Sequence, residues 1–342
     1  MNMSDIRHRF VFFTTIVILT AFVSSRGHSQ GRFDKTLIAK REFVDTKQPI
    51  SEILAIEILG RDSIIFRDRS KYLKLFINNI FIKTIGRSGQ GPGEYTGAAS
   101  VSVEANRVYI FDDKIGKLVW YNISNDSFIG EMVDPQFARF QAFKRLAGTT
   151  FFFHTTYTKR DSSNKPLLFT LNLENKLIPQ SVRFSDLEIG GFPYPAKMQP
   201  AVRANDSQIY IYFPFSNKII VFDSNTQKTK TINLKLDHPF KKEHELVYDG
   251  PTFKKAVDDI DLSTGVFLLK KHIAVVVRNG TSPRRDWRIR FYSYDGAFDG
   301  ELRANNFVFN VTDEYFSELV IETDQQSQFP YGEYRYSYQF VK

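Results

Sequence analysis

Internal repetition constrains this chain more than any other feature. The stretch Phe81–Gly130 reads FIKTIGRSGQGPGEYTGAASVSVEANRVYIFDDKIGKLVWYNISNDSFIG, and its plan recurs in weaker copies along the molecule. A strand ends at Gly86, a glycine-rich turn with Pro92 follows, and short alternating strands come next. The core of each copy is an apolar strand, a short polar turn, and a second apolar strand ending in an aromatic residue before Asp or Asn. A unit this small cannot bury both of its faces alone. Neighbouring copies must stack, so the chain is an array.

Six copies are legible. The first has Ser63 to Asp68 and then Tyr72 to Phe76; the second has Val108 to Asp112 and then Lys117 to Asn122. The third, Phe151 to Phe153 and then Leu167 to Asn172, is degenerate. Ile209 to Phe213 with Lys218 to Asp223 makes the fourth, and Ile273 to Val277 with Trp287 to Asp295 the fifth. The sixth shows three strands, Phe307–Val311, Ser317–Thr323 and Tyr334–Val341. A spacing of about 42 to 64 residues suits four-stranded propeller blades with two insertions. The expected fold is therefore all-β, a six-bladed β-propeller of four-stranded blades. The strand Thr36–Val44 has no partners of its own and is expected to complete the last blade, closing the ring and covering its edges.

Composition agrees. The 33 Phe and 16 Tyr suit pleated, half-buried surfaces, and 42% hydrophobic content excludes a disordered or collagen-like chain. Residues 1–30 read as a secretory signal peptide. Arg7 and Arg9 precede the apolar run Phe10–Val23, and small and polar residues follow it. That run is shorter than the roughly 20 residues a spanning helix needs. Removing residues 1–30 takes away three Arg and one Asp, so the net charge falls from +8 to +6. Residues 31–342 are expected to form a single domain without a transmembrane span. Loops are expected near 184–200, rich in Gly and Pro, and near 235–262, which contains a short amphipathic helical pattern. The sequence has no cysteine. That excludes disulfides, thiolate metal sites, a cysteine nucleophile and a lipid-anchor cysteine.

The run TIGRSGQGPGEY, continuing into VYIFDDKIGKLVWYN, resembles NHL-type repeats and the bacterial six-bladed β-propellers related to them. The matching positions are Gly86, Gly89, Gly91, Pro92, Gly93, Glu94 and Tyr95, then Val108 to Asp112, then Val119 to Tyr121. The resemblance implies an exported protein, mostly without assigned chemistry; lacking the anchor cysteine, this chain is expected to be periplasmic or secreted. Read from the residues, the glycines let the backbone cross a crowded surface between blades, and Pro92 stiffens the path. A phosphate-cradling loop is excluded, because no Lys-Ser or Lys-Thr follows the glycines.

Side chains at the ends of the second strands should converge on one face, near the mouth of the ring. The candidates for ligand binding are Asp68, Arg69, Asp112, Asp113, Lys114, His154 and Asn217. Local turn chemistry accounts for the Asp and Asn residues equally well. Lactonase-like propellers carry a metal-binding acid before a Gly-Pro; here Gln90 precedes Gly91-Pro92, and an amide is a poorer ligand for a hard cation. His244-Glu245 lacks a second His four residues on. The expectation is a monomeric, non-enzymatic binding or scaffold module for a peptide, glycan or protein, with no metal site and no cofactor. A metal-dependent hydrolase or lyase in the same funnel, holding a divalent metal, is the alternative. Nucleic acid is not an expected partner, since export conflicts with it.

Overall fold

A computed structural model describes residues 32–44, 53–68, 72–98, 100–140, 142–154, 166–172, 175–183, 201–205, 207–214, 216–237, 261–279, 286–321 and 331–341. It is a six-bladed propeller. Blade one comprises Ile53–Ile58, Ser63–Asp68, Leu73–Ile77 and Ile80–Ile85, from the axis outward. Blade two is Ser100–Glu104, Arg107–Asp112, Lys117–Asn122 and Phe128–Val133; blade three is Ala142–Leu146, Thr149–Phe153, Leu168–Leu171 and Leu177–Pro179. Blade four runs Ala201–Asn205, Gln208–Tyr212, Lys218–Asp223 and Lys228–Asn233. Blade five runs Leu262–Leu268, His272–Asn279, Asp286–Ser293 and Phe298–Ala304. Among the described residues the one helical element is a 3-10 turn, Pro135–Arg139, capped by Asp134 between blades two and three. No helix among them is long and apolar enough to cross a membrane.

Blade six closes the ring as expected. Phe307–Val311, Tyr315–Ile321 and Tyr331–Val341 come from the end of the chain, and Arg32–Glu42 from its beginning supplies the outer strand. That strand starts earlier than the sequence suggested and also leaves the blade earlier. Phe43 turns inward and is fully buried among Phe66, Phe76 and Phe309. Val44 then pairs in parallel with Ile80 of blade one. The end of the closing strand thus crosses from the last blade to the first.

Among the described residues there is no central core. Six apolar clusters fill the six junctions between blades. The period of two explains why second strands read as unbroken apolar runs: successive side chains enter two different cores. In blade two, Val108 and Ile110 pack toward blade one, while Tyr109 and Phe111 pack toward blade three. In blade four, Ile209 and Ile211 face one junction and Tyr210 and Tyr212 the other.

Antiparallel order puts the first-to-second turn of every blade, and the third-to-fourth turn of blades one to five, on one face. Those turns span two to five residues. The strand ends bounding every connection longer than five residues lie on the opposite face, the longest connections being residues 180–200 and 234–261. The expected loop at 184–200, and residues 238–260 of the other expected insertion, lie outside the described residues.

Candidate functional site

The glycine-rich linker between blades one and two is built as a staple. Arg87–Ser88 pairs in parallel with Glu94–Tyr95, folding Gly89 to Gly93 into a tight loop. Glu94 Oε2 accepts from Gly91 N at 2.9 Å. Lys117, buried in the third strand of blade two, donates to Gly91 O at 2.7 Å and pairs with Glu131 at 2.8 Å. Glu131 also accepts from Gly93 N at 2.7 Å. Burial works to raise the Glu131 pKa, but the Lys117 and Gly93 hydrogen bonds outweigh it and hold it below the ordinary value. Tyr121 donates to Gly93 O, and Tyr95 donates to Ile85 O at 2.8 Å. Gly86 needs its left-handed backbone, φ +74°, and a Cβ there would stand 2.8 Å from both the Tyr95 and Tyr121 rings. The donors and acceptors of this motif are directed into the protein.

The residues expected at the mouth have different fates. Asp112 is fully buried, and its Oδ2 accepts from Thr96 N at 2.6 Å, Thr96 Oγ1 at 2.7 Å and Gly97 N at 3.2 Å. Its Oδ1 takes the Lys114 N–H at 3.1 Å. The linker folds down over the end of this strand and uses the carboxylate as its anchor. Asp113 is half-buried beside Arg67, opposing the fall that burial imposes on the Arg67 pKa. Lys114 is exposed in the same turn. His154 is half-buried, with its ring edge-on to Phe140 at 6.2 Å. The Asn217 carbonyl accepts from Leu234 N at 2.7 Å, tying blade four to the connection that leaves it. Asp68 ends its strand opposite Ile53, and Arg69 lies outside the described residues. These positions share the face of long connections, but all belong to second strands or the turns after them. The strands nearest the axis are others.

Those innermost strands carry charges that the reading for turns and motifs passed over. There are five: Glu57, Glu104, Lys144, Arg145 and Arg203. Lys144 donates to Glu57 at 3.0 Å, joining blade three to blade one past blade two. Arg145 pairs with Glu104 at 2.8 Å and lies over the Tyr109 ring at 4.8 Å. The available signal was a Lys or Arg in the middle of a short first strand, as in AFKRL and AVRAN.

The ends of the longest connection are clamped. Asp237 N donates to Asp261 Oδ2 at 2.9 Å, so the entry and exit of the segment meet. Asp237 also holds Arg288 at 3.1 Å and pairs with buried Arg290. Burial would lower the Arg290 pKa, but Asp237 and Glu301 raise it above the ordinary value. Among the described residues, no three His, Asp or Glu side chains converge in a metal-ligand cluster. A cleft of about 540 Å³ opens between blades three and four on the face of short turns, lined in part by Thr149, Thr170, Ser207 and Gln227.

Comparison with known proteins gives this fold its place. The structure is similar to that of a Bacteroides fragilis NCTC 9343 protein provisionally described as exported. The TM-score is 0.62 at 15% identity, over 91% of this chain and 96% of that one. BamB from Moraxella catarrhalis matches over 89% of this chain and all of its own length, at 10% identity and a TM-score of 0.41. At these identities the first likeness concerns the fold alone; the second is too low to support an argument. None of the curated proteins matches the sequence. A family model described as "6-bladed beta-propeller" matches residues 45–239, more than half of the chain. The chain belongs to that family, DUF5128, and its six blades agree with the family's description.

Proposed function

We propose that this protein is a non-enzymatic binding module, exported from a bacterial cell, that engages a peptide, glycan or protein partner. The partner sits at the central mouth, on the face of the long connections. One observation carries the reading: every connection longer than five residues emerges on that face, while the other face keeps turns of two to five. Repeat folds concentrate insertions on the face that binds, because the other connections are fixed by blade geometry. Residues 1–30 act as the signal peptide in this reading, and the blades are NHL-like. N-terminal sequencing of the mature protein tests the export step: a start between residues 25 and 31 is expected, and an intact Met1 would overturn it.

The binding face has its own test. A photo-crosslinking amino acid at Lys114, on the long-connection face, is expected to give adducts with the partner. The same group at Asn225, on the short-turn face, is expected to give none. Equal or reversed yields would sink the assignment. The hydrolase or lyase alternative would show as stoichiometric metal in the purified protein and a melting temperature that drops on chelation.

A further inference from the structure

We propose that the channel wall between blades four and five is a carboxylate-binding site built from the Arg203 guanidinium and the Thr264 hydroxyl. This rests on the reading that the mouth binds a ligand, and names the chemistry it recognises.

The argument starts from charge. Of the five charged side chains on the six innermost strands, Glu57 is paired with Lys144 and Glu104 with Arg145. Arg203 is left over. Among the described residues it meets no carboxylate; one of its N–H groups donates to its own neighbour, Val202 O, at 3.0 Å. A guanidinium has five N–H donors, so most of its hydrogen-bonding capacity is unused.

Packing places that guanidinium. On the innermost strand of blade five, Val266 enters the core shared with blade four, and Phe267 enters the core shared with blade six. Arg203 belongs to blade four, yet its guanidinium lies over the Phe267 ring at 5.1 Å. To reach that ring it must pass around the channel edge of the blade-five strand. The stacking holds a planar cation in a fixed orientation there.

The neighbouring backbone is irregular at the same place. The ladder of this strand shifts register between Ser263 and Gly265, leaving Thr264 as the extra residue of a bulge. Bulges recur beside binding sites, where they re-aim a side chain. The Thr264 hydroxyl is buried and has no hydrogen-bond partner among the described residues. Such a group is costly to leave unmade. Gly265, beside it, lies so near Phe267 that a Cβ would stand 3.0 Å from the ring. Thr264 therefore adjoins Gly265, Gly265 touches Phe267, and Arg203 covers Phe267. One fixed cation and one unsatisfied hydroxyl suit the two oxygens of a monoanion. A dianionic phosphate would exceed the single free charge and face the Glu57 and Glu104 pairs.

Calorimetric titration of the full-length protein tests this with four probes: a tetrapeptide with a free C-terminal carboxylate, its C-terminal amide, glucuronate and glucose. Binding is expected for one or both carboxylates and for neither neutral partner. Peptide binding alone identifies a polypeptide carboxylate, and glucuronate binding alone an acidic glycan. Arg203→Gln is expected to weaken binding tenfold or more, Arg203→Lys by less, and Arg303→Gln on the exposed outer strand of blade five not at all. Thr264→Val is expected to weaken binding while raising the melting temperature, since it removes the unsatisfied hydroxyl. That variant carries the test should Arg203→Gln fail to fold. Equal binding of charged and neutral probes, full binding by Arg203→Gln, or no binding of any probe would overturn the site. Adducts at Lys114 that persist undiminished in Arg203→Gln would retain the binding face and discard the carboxylate site.

Discussion

The junction between blades one and two and the junction between blades six and one solve the same packing problem over very different separations along the chain. At the first, the chain is continuous, and a linker of small residues is stapled by groups within about forty residues: Tyr95, Asp112, Lys117, Tyr121 and Glu131. At the second, Arg32–Glu42 also leads straight on to blade one, but the other strands of blade six come from the far end of the chain, so pairing must bridge almost its whole length. Glu333, buried in blade six, accepts from Asn79 at 3.1 Å, Ser317 at 2.6 Å and Arg335 at 3.0 Å. Arg335 and Arg41 both meet Asp62 of blade one at 3.1 Å. Both junctions use buried charge, Lys117 with Glu131 at the first and Arg335 with Glu333 at the second. Where the paired strands come from opposite ends of the chain, that charge also favours a single register, because misplacement leaves an ion unpaired.

The largest effect should come from breaking the closure. Arg335→Met leaves Glu333 buried beside an apolar side chain, and removing one partner of a buried pair costs about 3–5 kcal/mol. Equilibrium unfolding in denaturant measures it. Replacing the pair together, with Arg335→Met and Glu333→Leu, is expected to recover most of the loss, since no uncompensated charge remains. A double variant no more stable than Arg335→Met would show that Asn79 and Ser317 need the carboxylate more than the arginine does.

The linker should be less sensitive, and sensitive for a different reason. Gly86→Ala forces a side chain into a left-handed backbone and between two buried rings; the backbone strain alone is of order 1–3 kcal/mol. Gly60→Ala, in the turn of blade one that carries Asp62, has nothing within 4 Å and no left-handed backbone. It is expected to be neutral, or stabilising by about 0.4–1 kcal/mol through the unfolded chain. If both substitutions cost the same in thermal unfolding, the glycine motif is not the steric requirement its geometry describes.

This contrast also explains what the sequence made legible. The blades were legible because their signal is periodic: Ile209 to Phe213 or Ile273 to Val277 can be read without knowing their partners. The closing strand was legible because Thr36–Val44 had no blade of its own. The closure network was not. Arg335 appears in the alternating run YRYSYQF as an ordinary solvent-facing residue, and its partner Asp62 lies 273 positions away. Asp112 was read as a mouth residue because Asp after a strand suits both a turn and a ligand. Its burial depends on Thr96 and Gly97 folding back, and spacing does not reveal that. The channel charges were missed because Lys144 and Arg203 look like surface residues of a short strand until the ring closes around them.

The finest comparison of the two junctions uses the Tyr121 hydroxyl. Burial pushes its pKa up to about 12, with the nearby Asp126 and Glu131 adding to the rise. An unfolded tyrosine titrates near 10, roughly two units lower. A raised folded value means that the neutral form contributes stability, fully present below about pH 10 and lost as the pH climbs toward 12. Tyr121→Phe removes that titration along with the hydrogen bond to Gly93 O, a loss of about 0.5–1.5 kcal/mol at neutral pH. Its stability should therefore fall less steeply than the wild type's between pH 10 and 12, so that the two curves approach each other. The Gly60→Ala curve, from the turn of blade one beside the closure, should stay parallel to wild type over that window, because nothing lies within 4 Å of that position. Chemical unfolding at intervals across the window reads the slopes. Parallel curves for Tyr121→Phe would mean that the linker is held by packing of the Tyr121 ring, and that its hydroxyl contributes nothing to the staple.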